Sequence, residues 1–111
     1  MTRFNFIYKK KKFYVNIRKC ENFFSKMSGL MFRKKSLSLL FIFNKPVSEA
    51  IHSFFCVKFI GIWFNGDKIV DVKYVKPWKF YVVPEKKFDK LLEIPENDDN
   101  FYKILNLIKE T

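Results

Sequence analysis

Among the 111 residues, those whose types alone could do chemistry are few: His52, Cys56 four positions later, and Cys20 well upstream. With a carboxylate such as Asp71 or Glu93 they would supply donors to zinc, and His52 with Cys56 could form a nucleophilic pair. The spacing supports neither. Structural zinc is held by paired Cys-x2-4-Cys or His-x3-5-His clips, which two Cys and one His do not provide, so no metal site is expected. A thiolate nucleophile also needs an oxyanion hole, for which the chain has no marker. Carboxylates cluster at Asp67 with Asp71, and at Glu96 with Asp98 and Asp99, where paired acids could exchange protons. The first pair flanks a tight turn; the second group stands where a helix needs a cap and lacks the central Gly and closing Glu of a calcium loop. Gly29, Gly61 and Gly66 are isolated, so no G-x-G-x-x-G or G-x4-G-K phosphate loop exists. No cofactor is expected, and the balance falls against an enzyme.

What remains is charge. Twenty-two Lys and Arg against eleven Asp and Glu give a formal net charge of +11, a field that attracts RNA, DNA, anionic lipid or acidic proteins. The candidate polyanion contacts are Lys9, Lys10, Lys11, Lys12, Lys34, Lys35, Lys76 and Lys79. The same excess also arises as background composition in AT-biased genomes and hot environments, where Lys rises without a selected partner. From Tyr74 to Tyr81, bases interleave with aromatics, as in single-strand binders whose rings stack on bases; in a sheet the same alternation places aromatics in the core and Lys in water. No ribonucleoprotein-type, G-x-x-G or helix-turn-helix pattern names a nucleic-acid module. The expected function is therefore a non-catalytic binding module for an anionic partner, RNA or an acidic protein. The alternative is a small-molecule or enzymatic pocket in which His52, Trp78 and Cys56 meet; otherwise His52 sits at a sheet rim, hydrogen-bonded through one ring nitrogen.

The elements that must position these residues read mainly as strands. A chain of this length is one domain, residues 1–111, and its 49% hydrophobic and 20% aromatic content suits a compact core. Phe4, Phe6 and Tyr8, then Phe13, Val15 and Ile17, alternate with outward residues and predict a hairpin whose exposed tip is Lys9 to Lys12, without a turn residue to set its geometry. Helical spacing of Phe23, Phe24 and Met27 predicts a short helix near residues 21–28, capped at Gly29. Leu39 to Phe43 reads as a strand buried on both faces and ending at Asn44-Lys45-Pro46. Ala50 to Phe64 reads as two strands with an irregular join. Asn65-Gly66 predicts a type I′ turn into Ile69 to Val75. Further short strands are expected at Phe80 to Val83 and Leu91 to Ile94. A closing helix near residues 98–109 would be capped by Asp98 and Asp99, with Phe101, Ile104, Leu105 and Ile108 on its inner face. The fold class is α+β, mainly β: a small antiparallel meander or a barrel-like sheet with those two helices. No apolar run reaches the ~18 residues of a membrane helix, and Lys9 to Lys12 breaks any signal-like segment. A cytoplasmic protein with reduced cysteines is expected.

Gly29-Leu30-Met31-Phe32-Arg33, Leu40-Phe41-Ile42-Phe43, Ile51-His52-Ser53-Phe54-Phe55, Val70-Asp71-Val72, Lys76-Pro77-Trp78-Lys79 and Lys90-Leu91-Leu92-Glu93-Ile94 together resemble the uncharacterised family called domain of unknown function 192, in its archaeal-type form. The likeness spans about Glu21 to Pro95. It implies a small β-rich domain with a short helix packed on it, and no reaction. The family usually carries Pro and Asp in the strand before the turn, where this chain has Phe59 and Gly61. A role for that Asp would be missing here, unless it only oriented a bend that Gly61 relaxes.

Overall fold

The computed structural model describes residues 2–20, 37–48, 58–76 and 82–109. Alternating aromatics at the start of the chain form β1 (Thr2–Tyr8) and β2 (Lys11–Cys20), an antiparallel hairpin in which Tyr8 faces Lys11. Its two-residue turn is Lys9-Lys10, with φ of 49° and 66°. Both central residues of a I′ turn require positive φ, so two lysines occupy positions that usually go to Asn and Gly. Lys11 and Lys12 belong to β2, and the tip is half the length expected of it.

The continuous apolar run becomes β3 (Ser38–Val47), which pairs parallel with β2 and passes straight through Asn44-Lys45-Pro46 with an irregular register there. Proline is tolerated at such a bulge because no ladder hydrogen bond is asked of its nitrogen. The second hairpin joins β4 (Phe59–Asn65) to β5 (Lys68–Val75). Its central residues are Gly66 and Asp67, one position later than expected, and φ is positive only at Gly66, 62°. Glycine first is the requirement of a II′ turn, not of I′. The Gly66 N–H donates to both Asp89 carboxylate oxygens at 3.2 Å and its carbonyl accepts from Lys90 Nζ at 3.0 Å, so β6 holds the turn in place. Between Val82 and Pro84 the chain makes one isolated bridge at Val82 and no strand; the rest of the strand expected there, the helix near residues 21–28 and the Ala50 to Val57 stretch lie outside the described residues.

The last strand, β6 (Phe88–Pro95), is longer than Leu91 to Ile94 and inserts between β3 and β4. The sheet order is β1-β2-β3-β6-β4-β5, antiparallel except at β2 and β3. The sheet curls into a half-barrel, the barrel-like form of the expected fold class; the insertion of β6 distinguishes it from a plain meander. Period-two alternation divides its apolar residues. Phe6, Phe13, Val15, Ile17, Leu40, Ile60, Ile62, Phe64, Leu92 and Ile94 make one core with the helix, and Leu39, Phe41, Phe59, Trp63, Val75, Phe88 and Leu91 make a second on the opposite face.

The helix α1 (Phe101–Lys109) buries Phe101, Ile104, Leu105 and Leu107; Ile108 is only half-buried, one position off the expected stripe. Asp98 starts it. Its carbonyl accepts from Phe101 N–H at 3.0 Å, and its carboxylate accepts from Asn100 N–H at 2.8 Å and from the buried Ser38 hydroxyl at 3.0 Å. At the other end, Lys9 Nζ donates to the Leu107 carbonyl, supplying a cation where the helix leaves carbonyls unpaired. No helix among the described residues is long and apolar enough to cross a membrane.

The positive φ at Lys10 predicts a stabilising change, because a non-glycine residue there stores about 1 kcal/mol of strain. Lys10→Gly is expected to raise the melting temperature by about 4 °C. Lys9→Gly gains less, because it also removes the contact to the Leu107 carbonyl. Thermal melts followed by circular dichroism decide it: a lower melting temperature for Lys10→Gly contradicts the strain argument.

Candidate nucleic-acid interface

The outward side of the β1–β2 hairpin is set by the same alternation that buries Phe6 and Phe13. Asn5 pairs with Tyr14, Ile7 with Lys12 and Arg3 with Asn16, and all six are exposed. Tyr14 and Ile7 are 52% and 58% exposed, unusual for large side chains in the middle of strands. The Arg3 guanidinium stands 5.8 Å from the Tyr14 ring centre, a cation–π distance. Lys12 shares this face; Lys10 in the turn and Lys11, which has the opposite parity, are exposed at the hairpin tip.

Of the expected polyanion contacts, the structure brings Lys10, Lys11 and Lys12 together on one exposed element. Lys9 is adjacent in sequence but is turned to the Leu107 carbonyl and to the Tyr8 ring. Lys76, exposed at the end of β5, belongs to another part of the sheet. Lys34, Lys35 and Lys79 lie outside the described residues, as do His52, Cys56 and Trp78, the expected pocket; Cys20 ends β2. Arg3 and Tyr14 were not singled out from sequence. The signal was there in the exposed parity of Tyr14, opposite to that of Phe13 and Val15.

Beside this surface the edge of β1, which pairs with no second strand among the described residues, faces the β4–β5 hairpin across a cleft of about 410 Å3. Phe4, Phe6, Phe64 and Ile69 supply its apolar wall, with the Phe4 and Phe64 rings edge-to-face at 5.5 Å. Lys12, Lys90 and Asp67 supply its charged lip. Tyr8, nearby on β1, has its phenol pKa raised by burial and by the Asp71 charge on β5, which shows how closely the two edge strands approach.

The carboxylate clusters are structurally occupied. Asp71 accepts from Val72 N–H at 2.8 Å and Glu85 N–H at 3.1 Å. Glu96 accepts from Lys58 at 2.7 Å and from the Tyr102 hydroxyl, and these hydrogen bonds, Lys58 first, hold its carboxyl below the usual range. Among the described residues no three His, Cys, Asp or Glu side chains are grouped to hold a metal.

One acid differs. Glu93 is 7% exposed, and burial raises its pKa from 4.5 to about 8. It pairs across the sheet with Gly61 and Leu39 on the face of the second core. Gly61 stands where the resembled family carries Asp, and a Cβ there would lie 2.9 Å from the Trp63 ring. Its φ is not positive, so glycine is needed for space and not to relax a bend. Trp63 fills the volume that the acid would occupy, and its buried indole N–H finds no acceptor.

No family model matches the chain. It is 33% identical over 91 residues to a UPF0127 protein of Pyrococcus furiosus, 78% of each chain, and 31% identical over 83 residues to one of Pyrococcus horikoshii, 71% of each. The chain belongs to the UPF0127 family. Members of this uncharacterised family thus include archaeal proteins, as the sequence resemblance implied. In fold, the chain resembles a protein of unknown function from Novosphingobium aromaticivorans, TM-score 0.70 at 16% identity, covering 84% of this chain and 71% of that one. It also resembles a Sinorhizobium meliloti protein provisionally described as a transcription regulator, TM-score 0.75 at 14% identity, covering 94% and 83%. At such identities these two show the architecture alone.

Two outcomes are expected from the buried face. A carboxyl that stays protonated to about pH 8 when folded but ionises near 4.5 when unfolded contributes stability at acid pH. That contribution is lost as pH rises from 4.5 to 8, on the order of a few kcal/mol, and urea unfolding of Glu93→Gln should lack this decline. An unchanged slope in the variant would place the titration elsewhere. Gly61→Asp should cost more than about 2 kcal/mol by collision with Trp63, and a double-mutant cycle with Trp63→Val should recover part of it.

Proposed function

We propose that the protein is a non-catalytic binding module for single-stranded nucleic acid, RNA in the first instance, held on the outer face of the β1–β2 hairpin. The observation that carries this reading is the exposed Tyr14 ring on the outer strand face, with Arg3 beside it, Lys12 on the same face and Lys10 and Lys11 exposed at the tip. Stacking on an aromatic is tolerant of sequence because every base offers a π face, and lysines spaced along a strand can follow phosphates. The net charge of +11 favours capture at long range. Such a role fits action in the cytoplasm. We also read the UPF0127 relatives and the domain-of-unknown-function-192 resemblance as one family, since each covers most of the chain and neither carries an assigned reaction.

The alternative, a small-molecule site about His52 and Trp78, draws on one observation among the described residues: Glu93 and the Trp63 N–H are polar groups buried in the second core. Trp63 packs tightly on Gly61, which leaves little room beside it, and the hairpin is favoured for that reason.

Anisotropy titrations of a labelled RNA octamer at several salt concentrations test the proposal. Arg3, Lys10, Lys11 and Lys12 meeting four phosphates would give a log–log slope of about −3. Tyr14→Ser should weaken binding about tenfold without changing that slope, while Lys11→Glu with Lys12→Glu should flatten it. Absence of binding at low salt would remove the reading.

A further inference from the structure

We propose that the cleft between the free edge of β1 and the β4–β5 turn is a base pocket, taking one unstacked base of the strand whose backbone runs over the hairpin. This rests on the nucleic-acid reading above and adds to the stacking on Tyr14 a second place, where the edge of a base is engaged.

Three features of the cleft point to a planar, hydrogen-bonding, anionic ligand. Its volume, about 410 Å3, lies within the ~300–1,000 Å3 of sites that enclose small organic ligands, ample for a nucleoside. Its wall is aromatic and already well arranged: Phe6 stacks on Phe13 at 5.3 Å, and Phe64 meets the Phe4 and Phe6 rings edge-on at 5.5 and 6.1 Å. Faces and edges of this kind suit a flat ring better than a flexible chain.

The second feature is the backbone of β1. In a two-residue hairpin Tyr8 and Lys11 form the closing hydrogen-bonded pair, so Phe6 and Phe13 form the next. Asn5 and Ile7, in the pairs between, therefore turn their N–H and C=O groups away from β2 toward the open edge. Both residues line the cleft, and β1 pairs with no second strand among the described residues. A donor and an acceptor at fixed spacing are what the edge of a base requires.

The third is charge. Lys12 on one lip belongs to the same basic strip as Lys10 and Lys11, and Lys90 on the other lip is 3.5 Å from Asp89 and donates to Gly66 O. Asp67, in the turn, is the one carboxylate lining the cleft among the described residues, which orients a ligand with its phosphate toward Lys12. Tyr14 lines the cleft as well as the outer face, so a base held inside and a neighbour stacked on Tyr14 would be consecutive along one strand.

Two measurements on the intact chain test this. Affinity for an RNA octamer is compared with that for an abasic ribose–phosphate octamer at equal salt, and adenosine 5′-monophosphate is titrated while backbone amides are followed by NMR. The octamer with bases is expected to bind at least about tenfold more tightly, with a similar salt slope. The mononucleotide is expected to shift the amides of Asn5, Ile7, Gly66 and Ile69 saturably, and those of the distant helix not at all. Shifts confined to Tyr14 and the Lys10–Lys12 tip would overturn the base pocket while leaving the hairpin reading standing, and equal affinity for the two octamers would overturn the pocket together with base stacking on Tyr14. No binding of either octamer would overturn both.

Discussion

Strand β6 is apolar on both faces, and the rest of the architecture depends on burying both at once. Leu92 and Ile94 point to the core that holds the helix, while Phe88 and Leu91 point to the second core. A strand buried on two sides needs packing above and below and a neighbour on each edge, the latter being β3 and β4. Each such side chain is worth about 1.5–3 kcal/mol in burial, so the position of β6 is not negotiable. Because β6 is the last strand in the sequence yet sits inside the sheet, between β3 and β4, the two earlier hairpins have no common sheet until it arrives. That arrangement rests on contacts distant in sequence, which are the slow ones to form.

Central placement of β6 also decides where the sheet ends. The two hairpins contribute the outermost strands, β1 and β5, and curling brings β1 against the second hairpin, where the Phe4 and Phe64 rings meet at 5.5 Å. An unpaired edge is a hazard for aggregation unless it carries charge. Here Arg3 lies on the exposed edge strand, and Lys10, Lys11 and Lys12 extend the positive surface onto the turn and the neighbouring strand. The same lysines thus guard the edge and make it attractive to anions.

Much of this was legible in the sequence. Alternation at Phe4 to Ile17, the apolar run at Leu39 and the caps around Asp98 placed strands and helix where they stand, because each is a local signal. Turn geometry was less legible. Gly66 requires positive φ in either hairpin turn type, and only the pairing of Asn65 with Lys68 selects between them. At Lys9-Lys10 the positive φ goes against residue preference altogether. The tertiary contact from Lys9 to the Leu107 carbonyl offsets it, and no local pattern encodes a contact across 98 residues. Leu107 replaced Ile108 in the buried stripe for a like reason, since a helix seated in a curved sheet buries a wider arc than one on a flat face. The candidate interface was half read: the lysines by their run, Tyr14 not at all, because exposure of an aromatic depends on which face has a core.

Gly61, Trp63 and Glu93 bear on what kind of function this member of the family can carry. A pair of carboxylates on facing strands would repel when both ionised, and sharing a proton between them is how such pairs divide acid and base roles. With glycine at 61 that partner is gone, the indole occupies its space, and Glu93 remains alone. Burial then keeps it neutral up to about pH 8, where it is neither a base nor a charge for a substrate to meet. A neutral carboxyl in a packed apolar layer acts on stability, through its titration, far more than on any bound molecule.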